Sequence, residues 1–313
     1  MMKRFTKLLL RLLVAIFIFL NIVVAFHAYK FTHFYNWGEV TLIPDKEKSR
    51  WNITKDILFG MDFIKQKNSF PDTAFSNIYL ITKSGLKLEA WYMQVFHAKG
   101  SVAMFHGHGS KKSGLLNEAA VFRKLGYNTL LLDFRAHGNS DGNTCTLGER
   151  ESEDVKLAYD YLAKSGEKNI ILYGISLGAA TITKTINDYK EVHPAKIILD
   201  MPFGSIQNAV RSRIKMMHLP PEPLATVLTF WGGLENGFWA YNIKPSEYAK
   251  KINCPVLLQR GKYDPRVSAE ETQAIYNNIH TSKKFVLYEN SAHESLCKKE
   301  VVKWTNEVTT FLQ

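Results

Sequence analysis

Cysteine is scarce in this chain. Cys145, Cys254 and Cys297 are too few for a disulfide framework, their odd number leaves at least one unpaired in a monomer, and none has metal-ligand spacing. They leave the redox compartment open, a single disulfide included. Repeats and low-complexity tracts are missing, so disorder is expected only at the ends. Basic clusters interleaved with aromatics are missing too. The formal charge of +11 is scattered, with Lys3, Arg4, Lys7 and Arg11 crowded at the start. It argues for solubility and attraction to anionic surfaces, and against nucleic acid as a partner. What is present is an ordinary globular composition, 46% hydrophobic and 22% charged over 313 residues, enough for one large α/β domain and an appendage.

One long apolar run opens the chain. Met1 to Arg11 is cationic and free of acids, Leu12 to Phe26 is uncharged with only Asn21 polar, and Tyr29, Phe31, Phe34, Tyr35 and Trp37 follow as an aromatic border. This describes a segment inserted in a bilayer with its N-terminus in the cytoplasm. The strict run is short, but Leu8 to Phe31 suffices for roughly 30 Å of hydrocarbon. Residues 1–37 are thus expected to be a basic flank and transmembrane signal anchor, with the rest of the chain extracytoplasmic. Cleavage after Val23-Val24-Ala25, giving a secreted or periplasmic domain, is the alternative; the aromatics beyond that point favour the uncleaved anchor. Residues 38–76 connect, with a short amphipathic helix from Thr54 to Met61 capped by Thr54. The sequon Asn52-Ile53-Thr54 has meaning only in a eukaryotic secretory pathway.

From Asn77 the pattern becomes regular. A hairpin (Ile78 to Thr82, Leu86 to Val95) precedes strands at Ser101 to Phe105, Thr129 to Phe134, Asn169 to Tyr173, Lys196 to Asp200, Val256 to Arg260 and Phe285 to Tyr288. Helices alternate with them, among them Leu115 to Leu125 and Leu147 to Ala163. Such alternation implies a mostly parallel sheet covered on both faces, with its site at the strands' C-terminal ends. There the chain carries Gly174-Ile175-Ser176-Leu177-Gly178, a strand-to-helix turn of the nucleophile-elbow kind. A serine hydroxyl needs a base to take its proton and a carboxylate to hold that base. Asp264 follows one later strand and His293 the next, so the order is Ser, Asp, His, as expected of an α/β-hydrolase fold. The backbone N–H of Leu177, after the nucleophile, is one expected donor to a developing oxyanion.

These pieces, with His106-Gly107 after the third strand and Asp133-Phe134-Arg135-Ala136-His137-Gly138-Asn139-Ser140 after the fourth, resemble the α/β-hydrolase superfamily. The resemblance is to the branch of serine aminopeptidase-like and monoglyceride-lipase-like proteins and runs from about Asn77 to the C-terminus; Ala136 stands where the branch usually has Gly. It implies Ser176 as nucleophile, His293 as general base, Asp264 as its orienting acid and the His108 N–H as second oxyanion donor. It also implies a cap insertion after the sixth strand, about residues 203–245, within a hydrolase domain of 77–313. The insertion's Phe230, Trp231, Phe238, Trp239 and Tyr241 are expected mostly to pack it onto the sheet, some lining an acyl pocket.

His106-x-His108 has metal-ligand spacing, but the Asp-His of a binuclear hydrolase is replaced by Gly109-Ser110-Lys111-Lys112, so no metal and no cofactor is expected. His106 is expected to hydrogen-bond beneath the oxyanion loop, His137 to brace loops, and Asp133 and Arg135 to pair with each other. Asp200 is the alternative to Asp264 as acid. The function expected is a membrane-anchored serine hydrolase acting on the ester, thioester or amide of a small or lipid-like acyl substrate. Peptidase or acyltransferase activity is the runner-up, and a non-catalytic binding module the alternative of another class.

Overall fold

The computed structural model describes residues 2–313; Met1, the first residue of the expected anchor, lies outside them. At its centre is an eight-stranded sheet built from β1 (Ser76–Ile81), β2 (Lys87–Met93), β3 (Ser101–Phe105), β4 (Asn128–Leu132), β5 (Ile170–Ile175), β6 (Lys196–Asp200), β7 (Val256–Gly261) and β8 (Lys283–Tyr288). The order across it is β8-β7-β6-β5-β3-β4-β2-β1. Pairing is antiparallel at β1–β2 and β2–β4 and parallel everywhere else. Strands β3, β4 and β7 are buried along their whole length, as strands covered on both faces must be.

Period-2 alternation divides these strands between two cores. Leu130, Leu132, Leu172, Leu199 and Leu258 face one layer, which holds α4 (Glu151–Lys164) and α5 (Leu177–Asp188). Leu131, Ile171, Tyr173, Ile198 and Leu257 face the other, with α3 (Leu116–Lys124) and α9 (Val301–Leu312), where Trp304 is fully buried. The helix α8 (Ala269–Asn278) follows β7 and starts with a capping box of Ser268 and Glu271.

Two helix starts differ from expectation. The connecting helix, α2 (Arg50–Phe59), begins a turn early because Ser49, not Thr54, caps it, accepting the Asn52 N–H at 3.2 Å. None of its residues is buried. Helix α4 begins at Glu151 rather than Leu147, because Leu147 sits at φ +55° and the Glu151 carboxylate accepts the N–H groups of Thr146 and Gly148 at 2.9 and 2.7 Å. A carboxylate there also meets the positive end of the helix dipole.

Helix α1 (Met2–Thr32) contains a segment, Arg4–Thr32, long and apolar enough to cross a membrane. Its 31 residues span about 47 Å. Between Arg4 and Leu20 it is exposed all round, whereas Val24, Ala28 and Thr32, four residues apart on one face, are buried. The interval after β6 includes the helices α6 (Ile206–Met216) and α7 (Leu224–Glu235), and α7 packs against α1. The Trp231 indole N–H donates to Asn21 at 3.2 Å and Asn236 to the Thr32 hydroxyl at 3.4 Å. Trp231 thus turns to α1, and Phe230 packs edge-on against Trp231 and Trp239 rather than on the sheet. The aromatic border also divides: Tyr29 and Trp37 are exposed, while Phe34 is buried in the domain.

Candidate active site

Strand β5 ends at Ile175 and α5 begins at Leu177, leaving Ser176 alone in the turn at φ +53°, ψ −109°. A side-chain-bearing residue held there costs roughly 1–3 kcal/mol. The turn is held by the Ser176 N–H donating to Asp200 O at 2.7 Å and the Ser176 carbonyl accepting the Ala180 N–H at 2.9 Å. Both flanking glycines are forced by crowding. A Cβ on Gly178 would lie 2.2 Å from the Phe105 carbonyl oxygen, and one on Gly174 2.5 Å from the Ala179 nitrogen. Gly174→Ala and Gly178→Ala are each expected to cost about 3 kcal/mol of stability. Thermal denaturation checks this, and wild-type stability in either variant contradicts it.

The β7 and β8 loops meet above this turn. Gly261 permits the approach, since a Cβ there would lie 2.3 Å from Ala292 O. Asp264 accepts the N–H groups of Arg266 and Val267 on Oδ1 at 2.8 and 2.9 Å, which aims Oδ2 at His293 Nδ1, 2.8 Å away. With Nδ1–H donating to that carboxylate, Nε2 is left to accept the Ser176 hydroxyl at 2.9 Å. The Asp264 carboxyl and the His293 ring are both shielded from solvent. Thus Ser176, His293 and Asp264 are brought into one hydrogen-bonded line.

Asp200 is not in that line. Its carboxylate accepts Tyr173 OH at 2.8 Å, Gln259 Nε2 at 2.7 Å and Trp304 Nε1 at 3.3 Å, beneath the turn. Burial pushes its pKa up to about 7 against those three hydrogen bonds. Asp133 and Arg135 do not pair with each other either. Asp133 takes the buried Lys112 ammonium at 2.5 Å, and Arg135 forks onto Asp154, with Nε at 2.9 Å and Nη2 at 2.5 Å. Each thus finds its partner on another element.

His106 and His137 are held at both ring nitrogens. His106 Nδ1–H donates to Gly107 O at 2.8 Å while Nε2 accepts the Phe134 N–H at 3.2 Å. His137 Nδ1–H donates to Arg135 O at 2.9 Å while Nε2 accepts the Gly109 N–H at 3.0 Å, tying the two loops together. Burial holds His106 and His108 well below the usual histidine range, and His137 below it, so all three are neutral donors and acceptors. The Gly107 backbone passes close to the nucleophile turn: a Cβ on it would be 3.6 Å from Ser176 Cβ. Among the described residues, the N–H groups of His108 and Leu177 have no protein acceptor.

A cavity of about 240 Å³ opens over Ser176 and His293. Its apolar wall includes Leu115, Leu147, Met201, Phe203 and Val210. None of the insertion's five aromatics is on it. Among the lining residues that the sequence does not mark as part of the site are Phe31, Arg213 and Arg266. Phe31, in the last turn of α1, stacks on His108 at 4.6 Å between centroids, and its carbonyl accepts from His108 Nε2 at 3.2 Å. Hydropathy assigns Phe31 to the lipid, so no signal in the sequence marked it.

A mostly parallel sheet with an antiparallel hairpin at one edge, and a strained serine elbow facing a histidine and an acid from the last two strand loops, is the arrangement of the α/β-hydrolase fold, and this chain has that fold. The model of the family described as serine aminopeptidase, S33, matches residues 97–232. The chain is 25% identical over 256 residues to the uncharacterized protein YqkD of Bacillus subtilis, covering 81% of this chain and 83% of that one. It is 24% identical over 211 residues to the lysophosphatidylserine lipase ABHD12 of Mus musculus, covering 64% of this chain. It spans only 50% of the length of that lipase. Among solved structures, the Pyrococcus furiosus esterase Pf2001 superposes with a TM-score of 0.65 at 23% identity, over 81% of this chain and 98% of the esterase. An esterase from Exiguobacterium antarcticum superposes with a TM-score of 0.56 at 18% identity, over 75% of this chain and 99% of the other.

Proposed function

We propose that this protein is a membrane-anchored serine hydrolase that cleaves esters of lipid-like acyl groups. The observation that carries the reading is the relay from Asp264 through His293 to a hydroxyl held at positive φ, with 2.8 and 2.9 Å links. In the reaction His293 Nε2 takes the Ser176 proton as Oγ attacks the carbonyl carbon, and the carbonyl oxygen becomes an oxyanion received by the Leu177 and His108 N–H groups. The same proton passes to the departing alcohol, leaving an acyl-enzyme. Water then attacks, its proton held by His293, and the acid is released as Ser176 recovers its proton. The dipole of α5 adds positive field at the oxyanion.

The lipase and esterase names among the relatives support esters over amides, while the serine aminopeptidase family supports a peptidase as second reading. Hydrolysis of p-nitrophenyl esters of increasing chain length, beside aminoacyl amides, separates them. Ester turnover rising with chain length is expected; turnover of amides alone would replace the ester reading, and turnover of neither would leave a binding module. Thioesters and acyl transfer to added alcohols belong in the same assay.

For topology, Lys3, Arg4, Lys7 and Arg11 hold the N-terminus in the cytoplasm and put the hydrolase domain outside. Protease added to intact cells is then expected to remove a C-terminal tag; a protected tag reverses the orientation. Because the end of α1 walls the cavity, the anchor is part of the site. Phe31→Ala is expected to raise KM for long-chain esters roughly tenfold while leaving acetyl esters within about twofold. Equal effects on both would show that Phe31 does not meet the acyl chain.

A further inference from the structure

Two guanidinium groups line the cavity over Ser176, and neither is satisfied by the protein. Arg213 on α6 has no hydrogen-bond acceptor or carboxylate partner among the described residues and lies 5.3 Å from the Phe31 ring centroid. Arg266 uses its backbone N–H on Asp264, but its side chain likewise has no partner among them. Two other arginines are paired with carboxylates: Arg135 with Asp154 and Glu153, Arg211 with Glu222. Burial and the facing charge of Arg266 push Arg213 down to about 10, which still leaves it a cation at neutral pH. Two partly buried like charges are costly to hold in one cavity unless something anionic joins them. Glu294 is the single carboxylate lining the same cavity, and it accepts the Ala292 N–H at 3.3 Å instead of bonding either arginine.

We infer that Arg213 and Arg266 form an anion-recognition site that selects esters whose alcohol half carries a phosphate or a similar acidic group. The inference rests on the hydrolase reading of Ser176 and names its substrate class. The apolar wall of Leu115, Leu147, Met201, Phe203 and Val210 suits the acyl chain, so the charge belongs to the departing alcohol. A guanidinium fork matches the oxygens of a phosphate or carboxylate, and a lysine would not reproduce it.

Binding to the full chain carrying Ser176→Ala tests this without turnover, using monooleoylglycerol and monooleoylglycerol phosphate in detergent micelles. The phosphate ester is expected to bind at least tenfold more tightly. Adding Arg213→Gln or Arg266→Gln should erase about tenfold of that preference each, with affinity for the neutral lipid kept within about threefold. Arg213→Lys should recover only part of it. Equal binding of the two lipids, or a preference that survives both substitutions in protein of unchanged melting temperature, overturns the inference. Inorganic phosphate separates the sources of the anion. Competition by millimolar phosphate, lost in the doubly substituted protein, supports a site for phosphate itself; no competition with the lipid preference intact supports one for the headgroup. Because the parent variant cannot turn over, failure here leaves the hydrolase reading standing, and absence of turnover by the wild type leaves the binding result standing.

Discussion

Replacing Ser176 with Ala is expected to lower kcat about a millionfold, and replacing His293 with Ala to cost about as much. The two are one machine: without the base the hydroxyl keeps its proton, and without the hydroxyl the base has nothing to activate. The double variant should therefore be no slower than either single one. What remains over the uncatalysed rate would come from the two backbone donors and the cavity, neither of which the substitutions remove. Stability should not follow activity. Ser176 sits at φ +53°, where a glycine is unstrained, so Ser176→Gly is expected to melt no lower than wild type while being equally inactive. Steady-state ester hydrolysis beside thermal denaturation checks both. Residual activity within a hundredfold of wild type in Ser176→Ala would remove the nucleophile from the account.

Asp264→Asn is expected to cost about ten-thousandfold in kcat, and Asp200→Asn no more than a few-fold. The first figure follows from the hydrogen bonds around residue 264. The Arg266 and Val267 N–H groups occupy one oxygen at 2.8 and 2.9 Å, so an asparagine must turn its carbonyl to them and its NH2 to His293. That forces Nδ1 to accept and puts the ring proton on Nε2, facing Ser176, where a base is needed. Asp200 instead lies below the turn, bonded to Tyr173, Gln259 and Trp304, and touches neither His293 nor the Ser176 hydroxyl.

Its effect should appear in stability. A carboxyl with a folded pKa raised to about 7 binds its proton more tightly folded than unfolded. Its contribution to stability is thus fully present below the unfolded value of about 3.9 and is lost as pH rises towards 7. Asp200→Asn should flatten that part of the stability profile. Melting temperatures across this range, measured for both proteins, decide it; a large loss of turnover in Asp200→Asn with Asp264→Asn active would exchange the two acids.

The parts of the site that could be read in the sequence are those that local chemistry announces. Gly174, Ser176 and Gly178 mark a turn that few other residue sets tolerate, and Asp264 and His293 each follow an apolar run recognisable as a strand. The sheet is legible for the same reason, because β3, β4, β5 and β7 each carry an apolar run of three residues or more. What escaped depends on contacts distant in sequence. Phe31 reads as one more membrane residue, yet it lies beside His108, 77 positions away. Arg213 falls on a helix rich in polar residues and reads as a surface group; only the fold turns it into the cavity. Asp133 and Arg135 look like natural partners two residues apart, yet Lys112 and Asp154, from other elements, claim them. Most aromatics of the insertion are expected on the sheet, but Trp231 of α7 instead turns its indole N–H to Asn21 of α1.

The central claim is that Ser176 is an activated nucleophile in a folded, membrane-tethered hydrolase. A fluorophosphonate probe reports on it directly, because it forms a covalent bond only with a serine whose proton is being removed and whose attack is met by oxyanion donors. Peptide mass spectrometry of the labelled full-length protein is expected to find one adduct, on Ser176, abolished by His293→Ala. No adduct on folded protein, or an adduct on another serine that survives Ser176→Ala, would contradict the account.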